Sequence, residues 1–289
     1  MATAARLALL LAVSAMAPTP SLTPAQRSLA QRVLQRLAAA DGRLHDFQAI
    51  SDVTITGPQP NGPSTTFRLR VAAKMPDMVR MDVLRSSILF FNGASFARTG
   101  SKVWIRNPAS EQVSQADVRQ LTGREPIRLD LGLGMMGALA NPALYPVTDA
   151  STTKLGGVPA YRIEFKIASQ AGAVVRLGRM VLWVDARRLV PLRQDTYTSN
   201  GRLFLSARFG DPRRVGPGLW VPGRVDVTHK HQIEENGEEP HTVTMLLARV
   251  NGVLVPTQLT ARGPHGQTII RYSDIKVNTG VPNGTFRLG

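Results

Sequence analysis

The chain has 289 residues, with 35 Lys and Arg against 20 Asp and Glu, so its formal net charge is +15. The absence of cysteine excludes disulfides, thiolate nucleophiles, cysteine-ligated metals and an acylated N-terminal cysteine of the lipoprotein kind. At 43% hydrophobic and 19% charged residues the chain is neither disordered nor a coiled coil, and its length allows one large β domain or two ordinary ones.

The N-terminus has the parts of a secretory signal peptide. Arg6 precedes an apolar run over residues 7–17, which ends in the small-x-small sequence Ala15-Met16-Ala17. This run is too short to cross a bilayer of about 30 Å as a helix. We therefore expect residues 1–17 to be a signal peptide and the mature chain to be exported and soluble in the periplasm. A short membrane anchor and a buried core helix are the alternatives.

An amphipathic helix is the first predicted element of the mature chain. Thr23 is a good cap residue before a proline at the first helical position, and the helical pattern runs to Asp41-Gly42. The apolar residues that recur at helical spacing are Leu29, Ala30, Val33, Leu34 and Leu37. A second short apolar helix is predicted over residues 131–139, where the sequence lacks strand alternation and contains Met135 and Met136.

Elsewhere the hydrophobic period is two, as in strands with one apolar and one polar face. Residues 67–71, 161–167 and 225–229 alternate almost without error, and Asn-Gly pairs stand where hairpin turns are expected. A short motif, Leu-Val-Pro or Trp-Val-Pro, recurs weakly at residues 189–191, 220–222 and 254–256. Each copy begins a strand-like run. No linker divides the chain, so residues 18–289 are predicted to form a single domain. Its large antiparallel sheet must curl and is covered by two apolar helices.

Motifs that would carry catalysis are weak. Residues 132–137 match Gly-x-Gly-x-x-Gly but lack the βαβ setting of a dinucleotide site. Ser151-Thr-Thr-Lys154 matches an acyl-serine motif without its Lys-Thr-Gly partner, and a turn is the alternative. His229, His231 and His241 lie near three glutamates and could hold a divalent metal, with a solvated hairpin tip as the alternative. We expect no enzyme, no cofactor and no metal site.

The basic residues are spread along the predicted polar faces of strands instead of forming runs. They include Arg68, Arg70, Arg80, Arg162, Lys166, Arg208 and Arg224. Export and an aromatic content of only 6% argue against nucleic acid, which we do not expect as a partner. An anionic lipid surface, an acidic protein and a merely hydrated arginine-rich face are the alternatives.

The order of these features resembles the periplasmic outer-membrane lipoprotein carrier superfamily, which includes the relatives of LolA, LolB and RseB. The matching stretches are Phe91-Asn-Gly93, residues 103–108 with Glu111-Gln112, Leu182-Trp-Val-Asp185 with Val190-Pro191, and the tail 274–286. The resemblance implies a mainly β fold with an α lid: an unclosed antiparallel β-barrel of about 11 strands covered by two or three short helices. It also implies a monomer that shields acyl chains of lipoproteins or another lipid, with an inner-membrane donor and an outer-membrane acceptor protein as partners.

Alternation identifies the candidates for such a hydrophobic cavity. They are Phe67, Leu69, Val71, Val79, Met81, Val83, Ile163, Phe165, Leu182, Leu205 and Met245. The lid candidates are Leu29, Val33, Leu37, Met135 and Met136. Burying each acyl methylene is worth about 0.8 kcal/mol, so such a cavity needs no charged contact. Taken singly, each of these residues could also be ordinary core.

One departure from the family pattern concerns control of the lid. The best-known carriers place an arginine before a proline after the second strand, whereas this chain has Lys74-Met75-Pro76. Lys74 or Arg80 is the candidate substitute for the arginine that Met75 replaces. Together with an additional hairpin-like unit over residues 208–255, this favours a divergent branch.

Two functions follow from the resemblance. The first is a lipid or lipoprotein carrier, and the alternative is a periplasmic lipid-sensing regulatory protein of the stress-signalling branch. A large exposed apolar patch outside the cavity would favour the regulatory protein. An enzyme acting on lipid would require converging acids or histidines inside the cavity.

Overall fold

The computed structural model describes residues 22–59, 62–75, 77–117, 145–167, 177–229, 242–264 and 266–288. Within these ranges the chain forms one α-helix, 15 strands and two 3-10 helices of three and four residues. The helix is α1 (Pro24–Asp41), and the strands of the first half are β1 (Asp46–Thr56), β2 (Ser64–Lys74), β3 (Met78–Ser86), β4 (Ser95–Thr99), β5 (Lys102–Arg106) and β6 (Val113–Asp117). The other strands are β7 (Val147–Leu155), β8 (Val158–Lys166), β9 (Leu177–Asp185), β10 (Pro191–Thr198), β11 (Leu203–Gly216), β12 (Leu219–His229), β13 (Thr242–Val250), β14 (Val253–Gly263) and β15 (Gly266–Val277).

The predicted start of α1 is confirmed. Thr23 Oγ1 accepts a hydrogen bond from the Gln26 amide at 3.2 Å, and Gln26 Oε1 accepts one from the Thr23 amide at 2.9 Å, which forms a capping box. Gly42 follows the helix with φ 75°, and a Cβ there would lie 2.3 Å from the carbonyl oxygen of Gly252. Glycine is therefore required where the helix passes onto the β13–β14 turn.

All described strands belong to one antiparallel sheet in the order β6-β5-β4-β3-β2-β1-β15-β14-β13-β12-β11-β10-β9-β8-β7. One meander runs from β1 outward to β6, and a second returns from β7 to β15. The two meanders join where β15 pairs with β1. Among the described strands β6 and β7 each have a neighbour on one side alone, so the sheet is unclosed, as predicted.

The predicted number of strands is too low. The sheet has 15 strands, not about 11, because β4, β5 and β6 are only five residues long and do not display a recognisable alternation. A lid of two or three helices is also not found, since α1 is the one α-helix in the described ranges. The second predicted helix, with Met135 and Met136, lies outside the described residues. The three alternating runs are confirmed as parts of β2, β8 and β12.

The register divides the side chains between two faces of the sheet, because directly opposed residues of antiparallel strands share a face. We call the face on which α1 packs the helix face, and the opposite one the outer face. Val33 and Leu37 of α1 pack on Ile163, Phe165 and Leu182 of the helix face. The basic residues predicted to line polar faces all lie on the outer face by register.

The chain after β15 turns back and packs beside β2 and β3. The buried carboxylate of Asp46 accepts hydrogen bonds from the amides of Thr279 at 2.9 Å and Gly280 at 3.0 Å. Phe286 is fully buried against Ala72 and Met78 on the outer face. This C-terminal segment (residues 278–288) thus covers part of the outer face at β2 and β3. It leaves the helix face of these two strands free.

Candidate functional site: the apolar patch of the helix face

All eleven residues predicted to line a cavity lie on the helix face. Val71 opposes Met81 and Leu69 opposes Val83 in the β2–β3 pair, and Ile163 opposes Leu182 in the β8–β9 pair. The two groups are connected through continuous rows of opposed residues across β1, β15, β14, β13, β12, β11 and β10. The periodicity therefore identifies one continuous face of the sheet, which is mainly apolar.

α1 divides this surface into two parts. Over β8 and β9 the surface is fully buried, since Ile163, Phe165 and Leu182 are each 0% exposed. Val33 and Leu37, two of the predicted lid residues, form the other side of this contact, and Leu29 packs at its margin. Here the predicted cavity residues Ile163, Phe165 and Leu182 belong to the buried core, in one cluster with residues of α1.

Away from α1 the helix face stays half-exposed. The chief contacts of α1 are with β7, β12 and β14, and no second α-helix of the described ranges packs on the central and first-half strands. Register places a set of half-buried apolar side chains there. We call this set the apolar patch: Val53, Phe67, Leu69, Val71, Met81, Val83, Phe96, Met245, Leu259 and Ile270. Six of the eleven predicted residues belong to it, while Val79 is buried at its margin and Leu205 packs with the β11–β14 cluster.

Exposed apolar residues adjoin the patch at the connection between β3 and β4. Leu89 and Phe90, in the first 3-10 helix, are 81% and 68% exposed, and Phe91 stacks obliquely on Phe90 with ring centroids 4.1 Å apart. The Phe91 ring also meets the edge of Phe67 at 5.9 Å. This feature was not among the predicted site residues. Its signal was four consecutive apolar residues, 88–91, directly before an Asn-Gly turn.

A buried arginine stands beside the patch. Arg98 on β4 opposes Val79 on β3 and Val103 on β5, so it points to the helix face in phase with Phe96. It is 9% exposed and is the one Lys or Arg among the described residues that is buried. Its Nε donates to the carbonyl oxygen of Gly100 at 2.9 Å. Arg98 was not among the predicted site residues, although a charged residue on the apolar face of an alternating strand was a signal for it.

A second buried polar group occupies the helix face on β10. Gln194 lies between Leu182 and Ala207 in the cross-strand row and is 6% exposed. Its Oε1 has no hydrogen-bond partner among the described residues. Buried amide oxygens are ordinarily paired, so the face beneath α1 is not purely apolar.

Two of the residues predicted to control a lid, Lys74 and Arg80, hold the C-terminal segment. Lys74 Nζ donates to the carbonyl oxygen of Val281 at 3.2 Å and to Asn283 Oδ1 at 2.6 Å. Arg80 donates from Nη1 to the carbonyl oxygen of Thr285 at 3.0 Å and from Nε to Asp82. Met75 packs at the edge of the cluster formed around Phe47. These contacts place the three residues around β2 and β3, and none of the contacts is with α1.

Several acidic residues on the outer face pair with an arginine of the same strand. Arg80 pairs with Asp82 at 2.9 Å and Arg224 with Asp226 at 2.8 Å. Asp195 is buried and accepts from Ser206 Oγ at 2.7 Å as well as from Arg193, and its hydrogen bond raises the pKa of Arg193. These pairs fix side chains against one another and assemble no acid–base pair at the apolar patch.

The predicted histidine cluster cannot be placed. Residues 230–241 and the side chain of His229 lie outside the described part of the structure. Elsewhere in the described ranges no three His, Asp or Glu side chains are grouped closely enough to share a metal ion. The described chain likewise contains no helix with the length and hydrophobicity needed to cross a membrane.

Several solved structures are similar to this chain. A DUF1329 family protein from Desulfovibrio piger has a TM-score of 0.48 at 16% identity, covering 89% of this chain and 95% of its own. A LolA superfamily protein from Nitrosomonas europaea has a TM-score of 0.47 at 16% identity, covering 90% and 98%. An outer-membrane lipoprotein-sorting protein domain from Vibrio parahaemolyticus has a TM-score of 0.45 at 12% identity, covering 89% and 95%.

No protein-family model matches the chain, and no curated protein matches it.

Proposed function

We propose that this protein is an exported carrier that shelters the acyl chains of a lipid or lipoprotein against its apolar patch during transfer through the periplasm to the outer membrane. The single observation that supports this function is the half-exposed apolar surface on the helix face, continuous from β3 across β1 to β13. Soluble proteins rarely leave contiguous apolar surface of this kind without a binding role.

The energy available from such a surface is sufficient for binding. Each acyl methylene removed from water contributes about 0.8 kcal/mol, so eight methylenes contribute about 6 kcal/mol before the cost of immobilising the lipid. Phe67, Leu69 and Met81 offer aromatic and aliphatic contact area on adjacent strands. The methionines adapt to ligands of irregular shape, which suits a carrier for more than one acyl chain.

The test is to express the chain with its leader in a Gram-negative host and purify it from the periplasm without detergent. Native and denaturing mass spectrometry then identify co-purifying molecules. Leu69→Asp puts a charge into the apolar patch, and Thr66→Asp puts the same charge on the exposed outer face of the same strand. We expect wild type and Thr66→Asp to carry a stoichiometric lipid or acylated protein and Leu69→Asp to lose it without a change in melting temperature. A lipid-free wild-type protein would contradict the carrier function.

A regulatory protein that senses lipid is the second candidate, and the exposed Leu89 and Phe90 favour it. These side chains extend the apolar surface beyond the sheet and are available to a membrane protein. The same purification separates the two functions. A wild-type protein that contains no lipid but retains a membrane protein, and loses that protein on Phe90→Ser, would favour the regulatory function over the carrier.

A further inference from the structure

We propose that Arg98 binds the anionic head group, a phosphate or a carboxylate, of the lipid whose chains lie on the apolar patch. This inference rests on the proposed function and specifies its substrate class: an amphiphile with a negative head, not a neutral glyceride. The observation behind it is a largely buried arginine that has no acidic partner among the described residues.

The bonding of Arg98 is incomplete for a buried charge. A guanidinium has five N–H donors, and the Gly100 carbonyl takes the one on Nε. No carboxylate of the described chain forms an ion pair with it, whereas the buried Asp46, Asp185 and Asp195 each accept two or more hydrogen bonds. Isolated buried charges are costly, and proteins ordinarily pair them. An anion from outside the chain would complete the site.

The position of Arg98 fits such an anion. Arg98 keeps 9% of its surface exposed, and among the described residues no atom of its guanidinium is both fully buried and without a partner, so an anion can reach it from outside. Val79 and Val103 oppose Arg98 on the neighbouring strands, and Phe96, a member of the apolar patch, lies two residues away on the same face. The guanidinium therefore borders the surface on which acyl chains would lie. Its planar fork matches a phosphate or carboxylate through two parallel hydrogen bonds.

The test compares two lipids that differ in the head group alone. Phosphatidylglycerol and diacylglycerol with the same acyl chains are titrated into detergent-free, delipidated protein, and dissociation constants are measured by native mass spectrometry. Arg98→Met removes the charge and keeps an apolar side chain of similar length. Arg106→Gln is the control, since Arg106 is exposed at the end of the adjacent strand β5.

We expect wild type and Arg106→Gln to prefer phosphatidylglycerol by about tenfold or more, the usual effect of a charge-assisted hydrogen bond. Arg98→Met should bind both lipids equally and should melt no lower than wild type, because an unpaired buried charge has been removed. If Arg98→Met does not fold, Arg98→Gln must abolish the preference.

The outcomes separate this inference from the function on which it rests. If wild type binds neither lipid, the carrier function fails. If wild type binds both lipids and Arg98→Met keeps the preference, the carrier function stands and the assignment of Arg98 is overturned. Inorganic phosphate is titrated alone as a third arm. Arg98-dependent binding of phosphate as tight as that of phosphatidylglycerol would assign the site to a free anion and overturn the head-group assignment.

Discussion

Replacing Leu37 by alanine tests whether α1 is a fixed part of the core or a detachable lid. Leu37 is 2% exposed and packs in the cluster that includes Ile163 and Phe165. Truncating a buried leucine costs about 2–5 kcal/mol, from lost transfer energy and the cavity left behind. For a chain of this size, about 3 kcal/mol corresponds to a fall in melting temperature of roughly 6–12 °C.

The assay is urea and thermal unfolding, combined with hydrogen exchange of the α1 amides followed by mass spectrometry. Gln35→Ala is the control, because Gln35 is exposed on the same helix and its loss should change the free energy of unfolding by less than about 0.5 kcal/mol. We expect α1 amides to exchange as slowly as those of β8 and β9. A cost for Leu37→Ala no larger than that of the control, with fast exchange in α1, would refute the view that the helix is permanently docked.

Burial raises the pKa of Tyr272 above its ordinary value of 10.0. Its contribution to stability is present below pH 10 and lost as the pH rises towards the folded-state pKa, so wild type should lose stability above pH 10 more steeply than Tyr272→Phe in urea titrations. Gly266→Ala should prevent folding, as judged by circular dichroism, because φ is 123° and a Cβ would lie 2.0 Å from a backbone oxygen of β1. Gly156→Ala, at φ 55° in open space, should cost only about 1–2 kcal/mol. Asp46→Ala should cost about 1–3 kcal/mol for each orphaned amide at residues 279–280, and hydrogen exchange there should accelerate.

Sequence patterns predicted the secondary structure correctly where it is determined by interactions between residues close in the chain. The Thr23 cap and the period-two runs depend on neighbouring residues alone, and both are found where predicted. The Leu-Val-Pro motif is likewise explained, because its copies stand at the starts of β10, β12 and β14. Asn251-Gly252 forms the β13–β14 turn with φ 46° and 80°, as a two-residue hairpin requires.

The parts that were missed depend on contacts distant in the chain. Nothing near β6 marks it as a strand, since Val113 is its one large apolar residue and its hydrogen bonds come from β5. Residues 283–284, another Asn-Gly pair, lie in a 3-10 helix instead of a hairpin. The partners of Lys74 and Arg80 come from the C-terminal segment, which sequence order places far from β2.

The alternation of apolar and polar residues predicted which side chains share a face of the sheet. It did not predict which of them are buried by other parts of the chain. It correctly grouped Phe67 and Met81 with Ile163 and Phe165 on one side of the sheet. Which of them are sealed depends on the path of α1 across the sheet, and periodicity contains no information on that path. The role we propose for Arg98 likewise needed a three-dimensional observation, namely that no carboxylate pairs with it.

The pairing of β1 with β15 determines when the apolar patch can exist. Val53 opposes Phe67 on one side and Ile270 on the other, so the apolar patch extends across the seam between the earliest and the latest strand. During synthesis from the N-terminus, β1 is available long before its second partner emerges. The patch is completed only when the final strand arrives, so a partly synthesised chain has no assembled patch to offer any ligand.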